Sequence, residues 1–75
     1  MPFIHIRSYS GRDLEGKKKA VEAIVNAAVE SMGSPITAFT VVFEDIDRES
    51  WAEEAVPIIE ALQDKMIMDH GKMLV

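Results

Sequence analysis

The chain has few side chains that could do chemistry, and they do not cluster. It has no cysteine and only two histidines, His5 and His70, far apart in the sequence. No glycine-rich phosphate loop is present, and no histidine and carboxylate spacing that would hold a metal. Hydrolysis, redox work and metal chemistry therefore have no side-chain constellation to rest on. Pro2 is different. A small residue after Met1 generally lets the initiator methionine be removed, which would leave proline as a secondary amine at the chain's end. An α-amino group titrates at about 8, and burial beside apolar groups or cations lowers that value by disfavouring the charged form. A neutral amine at neutral pH can take a proton from carbon or from an enol and return it elsewhere. The alternative is that Pro2 simply begins an edge strand.

Secondary structure must position that nitrogen. In Phe3-Ile4-His5-Ile6-Arg7-Ser8, Ile4 and Ile6 share one face while His5, Arg7 and Tyr9 fall on the other. This period of two predicts a strand over about residues 3–8. Ser10-Gly11-Arg12 makes a turn. Asp13 can cap a helix, with Glu15 in its first turn. Val21, Ile24, Val25, Ala28 and Met32 recur at three- and four-residue spacing, so an amphipathic helix is expected over about 14–32. Gly16 weakens its start a little, Gly33 is suited to its end, and Pro35 prevents continuation. Lys17, Lys18 and Lys19 read as a solvated face.

Phe39 to Ile46 is rich in β-branched and aromatic residues and apolar on both sides, which predicts a second strand over about 38–45. Strand, helix and strand with short connections make a right-handed βαβ unit with parallel strands. Ser50-Trp51-Ala52-Glu53 has the form of a capping box. Pro57 is tolerable only near a helix start. A last helix is expected over about 55–68, burying Ile58, Ile59, Leu62 and Met66, with Asp69 to Val75 as a tail broken at Gly71. Met66, Met68 and Met73 read as packing or tail residues.

The class is thus α/β, in one domain spanning residues 1–75. Two parallel strands do not make an independently stable sheet. A chain this short buries only about 60% of its unfolded surface, and without cysteine it has no disulfide to hold it. A homo-oligomer with a sheet extended across a two-fold axis is therefore expected. The net charge of −5 disfavours nucleic acid and anionic membranes as partners. No stretch approaches the roughly 20 apolar residues that span a bilayer, and the N-terminus lacks a signal-peptide pattern. A soluble, cytoplasmic protein is the expectation.

From Pro2 to Trp51 the chain resembles the 4-oxalocrotonate tautomerase family. The resemblance rests on Pro2, the strand Phe3-Ile4-His5-Ile6, Gly11-Arg12, the helix, Ser34-Pro35-Ile36-Thr37 and the second strand, all in register. It implies that Pro2 is general base and acid. It implies that Arg12 binds a substrate carboxylate and steadies enolate charge, as a guanidinium's two-pronged grip suits. Trp51 stands where the family has an aromatic wall, and Phe39 adds to that wall. Thr40 stands where the hydroxymuconate-processing members have a second arginine. That loss favours a monocarboxylate such as an arylpyruvate enol, unless Arg7, Arg48 or a lysine substitutes.

The helical spacing after Glu53 resembles the family's dimeric branch, so a dimer is expected rather than a hexamer. The resemblance implies a tautomerase that moves a proton between oxygen and carbon in a small 2-hydroxy-dienoate or enolpyruvate-type carboxylate, without cofactor or metal. Two alternatives stand beside it. One is a non-catalytic oligomeric module of the same fold. The other is a hydratase, dehalogenase or decarboxylase relative, for which Glu44, Asp45 and Glu53 are the candidate extra groups. His5 reads as a packed or interface residue, and His70 has no expected role.

Overall fold

A computed structural model describes residues 1–75. Strand β1, Phe3–Tyr9, leads through a turn into helix α1, Leu14–Met32, and strand β2, Thr40–Ile46, returns beside β1. The strands are parallel, with Phe3 opposite Thr40 and Tyr9 opposite Ile46. The expected βαβ unit is therefore present, and α1 has the expected bounds. Strand β2 begins two residues later than expected, because Ile36–Ala38 form a 3₁₀ turn after Pro35.

Local chemistry explains these boundaries. Gly11 has φ of +133°, a backbone angle that a side chain would strain, and it lets the chain leave β1 sharply. The Asp13 carboxylate accepts a 2.8 Å hydrogen bond from the Gly16 N–H and so caps α1. At the other end the Gly33 N–H bonds the Val29 carbonyl, closing the helix.

In a parallel pair, side chains in register share a face. Ile4, Ile6, Val41 and Phe43 lie toward α1, which also sends Lys17 Nζ to Asp45 Oδ2 at 2.8 Å. Lys17 also sits over the Phe43 ring, 5.9 Å from its centre, so it packs on the sheet instead of extending into solvent as expected. The other face carries Phe3, His5, Arg7 and Tyr9 beside Thr40, Val42, Glu44 and Ile46.

The C-terminal third departs most from expectation. Its helical part is short: α2 is Trp51–Glu54, α3 is Val56–Ala61, and 3₁₀ turns at Arg48–Ser50 and Gln63–Lys65 flank them. Pro57 accounts for the break at Ala55. It has no N–H to give the Glu53 carbonyl, and its ring crowds that oxygen. The capping box does not form, because Ser50 is already in helical conformation and its side chain makes no cap bond. The tail is a two-residue hairpin in which β3, Met68–Asp69, pairs antiparallel with β4, Lys72–Met73. His70 and Gly71 both have positive φ, as such a turn requires.

The core within one chain is small, with only Val25, Ile46 and Ala55 buried. Ile46 and Ala55 are buried at the end of the second sheet face, where α2 sets Trp51 against Tyr9. The expected buried stripe of the last helix is instead open, with Ile58, Ile59 and Leu62 at 38%, 42% and 48% exposure. Met32 and Ile24 of the α1 stripe are also exposed. No helix is long and apolar enough to cross a membrane.

Candidate active site

Pro2 stands at the head of β1, half-buried, and its carbonyl accepts a 3.1 Å hydrogen bond from the Thr40 N–H. That bond extends the strand pairing by one residue and fixes Pro2 against Phe39 and Thr40. Phe39 is half-buried and lines a groove of about 610 Å³ between α1 and β2, floored by Val21, Val25, Val41 and Phe43. Neither Pro2 nor Arg12 lines this groove. It meets the candidate residues only at Phe39, so it is not the site itself.

Arg12 and Trp51 stand at the tail of the sheet. The Arg12 guanidinium donates to Ser8 Oγ at 2.9 Å and to the Tyr9 carbonyl at 3.5 Å. It has no carboxylate partner and is exposed. Trp51 packs its ring edge-on against Tyr9, with centres 4.8 Å apart. The Arg48 guanidinium stacks over the same Tyr9 ring at 4.6 Å. The sequence reading did not single out Tyr9; its signal was an aromatic residue at the end of a strand face ahead of the Gly11-Arg12 turn.

The structure thus brings Pro2, Phe39 and Thr40 together at the head of the sheet, and sets Arg12 and Trp51 at its tail, on the carbonyl and on the ring of Tyr9 respectively. It does not bring the two groups together in one chain. Seven strand residues lie between them, a span of about 20 Å. Between the two ends, the open face holds a polar network. His5 Nε2 meets Glu44 Oε1, and Arg7 Nη2 lies 3.6 Å from that oxygen. Arg7 also donates to the Glu54 carbonyl at 2.8 Å, tying the sheet to α2. His5 is therefore a paired residue of the sheet surface, in line with a packing role. His70 bonds only its neighbour Asp69 and is fully exposed.

A βαβ unit with parallel strands, followed by a C-terminal helix, is consistent with the tautomerase fold. A family model described as tautomerase enzyme matches residues 2–58. The chain belongs to this family, and it is an enzyme of the tautomerase, or isomerase, class.

Three relatives fit that placement. The chain is 37% identical over 51 residues to a 2-hydroxymuconate tautomerase of Comamonas testosteroni, covering 68% of this chain and 81% of that one. It is 33% identical over 51 residues to a 2-hydroxymuconate tautomerase of Pseudomonas putida, with the same two coverages of 68% and 81%. It is 28% identical over 57 residues to a probable tautomerase of Ralstonia nicotianae, covering 76% of this chain and 81% of the relative.

Proposed function

We propose that this tautomerase moves a proton between oxygen and carbon in a small 2-hydroxy-dienoate or enolpyruvate-type carboxylate. Pro2, freed by removal of Met1, is the base that takes the proton and the acid that returns it. Arg12 holds the carboxylate and stabilises the charge that develops on the enolate. Phe39, Thr40 and Trp51 line the site, and its apolar walls strengthen each charge interaction by excluding water. The observation that carries this reading is the match of the tautomerase family from Pro2 onward, with Pro2 half-buried at the strand head.

The site is shared between copies in this proposal. Two chains related by a two-fold axis, with sheets joined antiparallel, bring the head of one β1 to the tail of the other. Surface area supports assembly. A folded monomer of 8.4 kDa is expected to expose about 4,600 Å², whereas this chain exposes 5968 Å². The excess, about 1,400 Å² per chain, exceeds the roughly 800 Å² that each partner gives to a standard interface and falls among obligate ones. A dimer is favoured over a hexamer, because α2 already packs on the tail of the second sheet face, with Trp51 against Tyr9 and the Glu54 carbonyl on Arg7.

The test combines intact mass with turnover. A mass lacking Met1, together with ketonisation of phenylenolpyruvate or 2-hydroxymuconate that collapses in Pro2→Ala, is the expected result. A processed Pro2→Ala variant that turns over at the wild-type rate would overturn the role of proline. Native mass spectrometry of the same sample reads the assembly, with two copies expected.

A further inference from the structure

We propose that Ser8 is a positioning residue for Arg12: its hydroxyl oxygen anchors one nitrogen of the guanidinium and leaves the edge that grips a carboxylate free. The proposal rests on the reading of Arg12 as the residue that holds the substrate carboxylate.

Ser8 is out of pattern in its strand. Side chains alternate along β1, so Ser8 shares the α1-facing side with Ile4 and Ile6, where it is half-buried and polar among apolar neighbours. A hydroxyl in such a place costs free energy unless it is bonded. Its partner is Arg12, four residues on, whose side chain folds back past the Gly11 turn onto the strand the chain has just left.

The nitrogen that is used decides what remains for a ligand. A guanidinium carries five N–H donors. Nη1 of Arg12 makes both of its bonds, to Ser8 Oγ at 2.9 Å and to the Tyr9 carbonyl at 3.5 Å. The second of these is long for a hydrogen bond, so Ser8 is the firm anchor. Nη2 and Nε stay free, and together they form an edge that can take both oxygens of one carboxylate.

The carboxylates that could compete for that edge are engaged elsewhere. Asp13, next in the chain, caps α1 at the Gly16 N–H. Asp45 stands opposite Ser8 in the strand register and on the same face, about 4.8 Å across the sheet. A carboxylate there would hold Arg12 more strongly than a neutral hydroxyl does, but Asp45 is paired with Lys17 Nζ at 2.8 Å. Arg12 therefore rests on two neutral oxygens, which order it without neutralising it. A side chain ordered in advance loses less freedom when the ligand binds.

The test is a double-mutant cycle on the Met1-free protein, read as kcat/KM for ketonisation of phenylenolpyruvate. Ser8→Ala is expected to lower kcat/KM by about fivefold, the scale of one hydrogen bond. Ser8→Thr, which keeps the hydroxyl and suits a strand, is expected to stay within about twofold of wild type. Added to Arg12→Ala, Ser8→Ala is expected to change the rate by less than about twofold, because its effect passes through Arg12. An unchanged rate in Ser8→Ala, an equal loss in both backgrounds, or a loss in Ser8→Thr as large as in Ser8→Ala overturns the proposal.

Ordering of the side chain is read separately, without substrate, from the 15N heteronuclear NOE of the Arg12 Nε–H group, which is expected to fall in Ser8→Ala and not in Ser8→Thr. A fall in a protein whose turnover is untouched by Arg12→Ala would keep Ser8 as the anchor and remove the carboxylate reading of Arg12. An NOE that does not move in Ser8→Ala overturns the anchor whatever the rates show.

Discussion

The two ends of the sheet are built by different means. At the head, one main-chain hydrogen bond from Thr40 fixes Pro2, whose nitrogen is the proposed base. At the tail, side chains do the work: Arg12 on Ser8 and Tyr9, Arg48 and Trp51 on the Tyr9 ring, with Ile46 buried at 3% exposure beneath. The head needs only strand pairing to be in place. The tail needs the turn at Gly11, the cap at Asp13 and the packing of α2. In the proposed mechanism, proton transfer and charge recognition are thus separate structural problems in one chain, and the two-fold assembly joins their solutions.

Substitutions at each end should break this division in different kinetic terms. Pro2→Ala should lower kcat by about 10²–10⁴-fold, the usual contribution of a positioned acid or base, with little change in KM. Steady-state ketonisation measures both, and a loss confined to KM would contradict the division. Ile46→Ala should cost about 2–5 kcal/mol of stability by leaving a cavity under the tail. Urea denaturation followed through Trp51 measures it, and a cost below about 1 kcal/mol would mean the tail does not depend on that packing.

Arg12→Ala should lower kcat/KM by roughly 10–100-fold, the scale of one lost charge-assisted contact. Refolding it together with Pro2→Ala should then restore activity, to about one quarter of wild type for random two-fold dimers with two shared sites. No recovery on mixing would place both groups of each site in one chain. The smallest effect is expected from Asp13→Ala, about 1 kcal/mol from loss of the cap. Thermal denaturation reads that loss, and a rise in KM without a fall in kcat would tie the cap to the placement of Arg12.

Most of the βαβ unit was legible in the sequence, because its signals are local. Ile4 and Ile6 alternate with His5 and Arg7, and Asp13 and Gly33 mark the ends of α1. The sequence starts strand β2 two residues early because Phe39 is as strand-like in type as Val41, yet the chain turns after Pro35. In the C-terminal third the last helix starts where the sequence places it, with Pro57 in the first turn of α3, but it ends at Ala61 although helical spacing persists through Leu62 and Met66. Asp69-His70-Gly71-Lys72 between apolar pairs was a two-residue hairpin signal read only as a tail.

The candidate residues were legible as types, through the resemblance. Their division between the ends of the sheet follows from strand length and pairing. The grouping of Arg48 with Tyr9 was not legible, because a guanidinium stacked on a ring has no mark in local spacing. The exposed apolar residues of α3 were expected to be buried because their types call for burial, which this chain alone does not provide.

In the proposed assembly β1 is a ruler, and its length sets the gap between amine and guanidinium. One residue inserted between Ile4 and Arg7 would lengthen that gap by about 3.3 Å and turn every later side chain to the opposite face. Arg7 and Tyr9 would then point at α1, and Ser8 would leave Arg12. Residues added within the hairpin after Ile67 would shift neither end. The chain can therefore vary at its C-terminus without altering the reach of its active site, whereas β1 has no length to gain or lose.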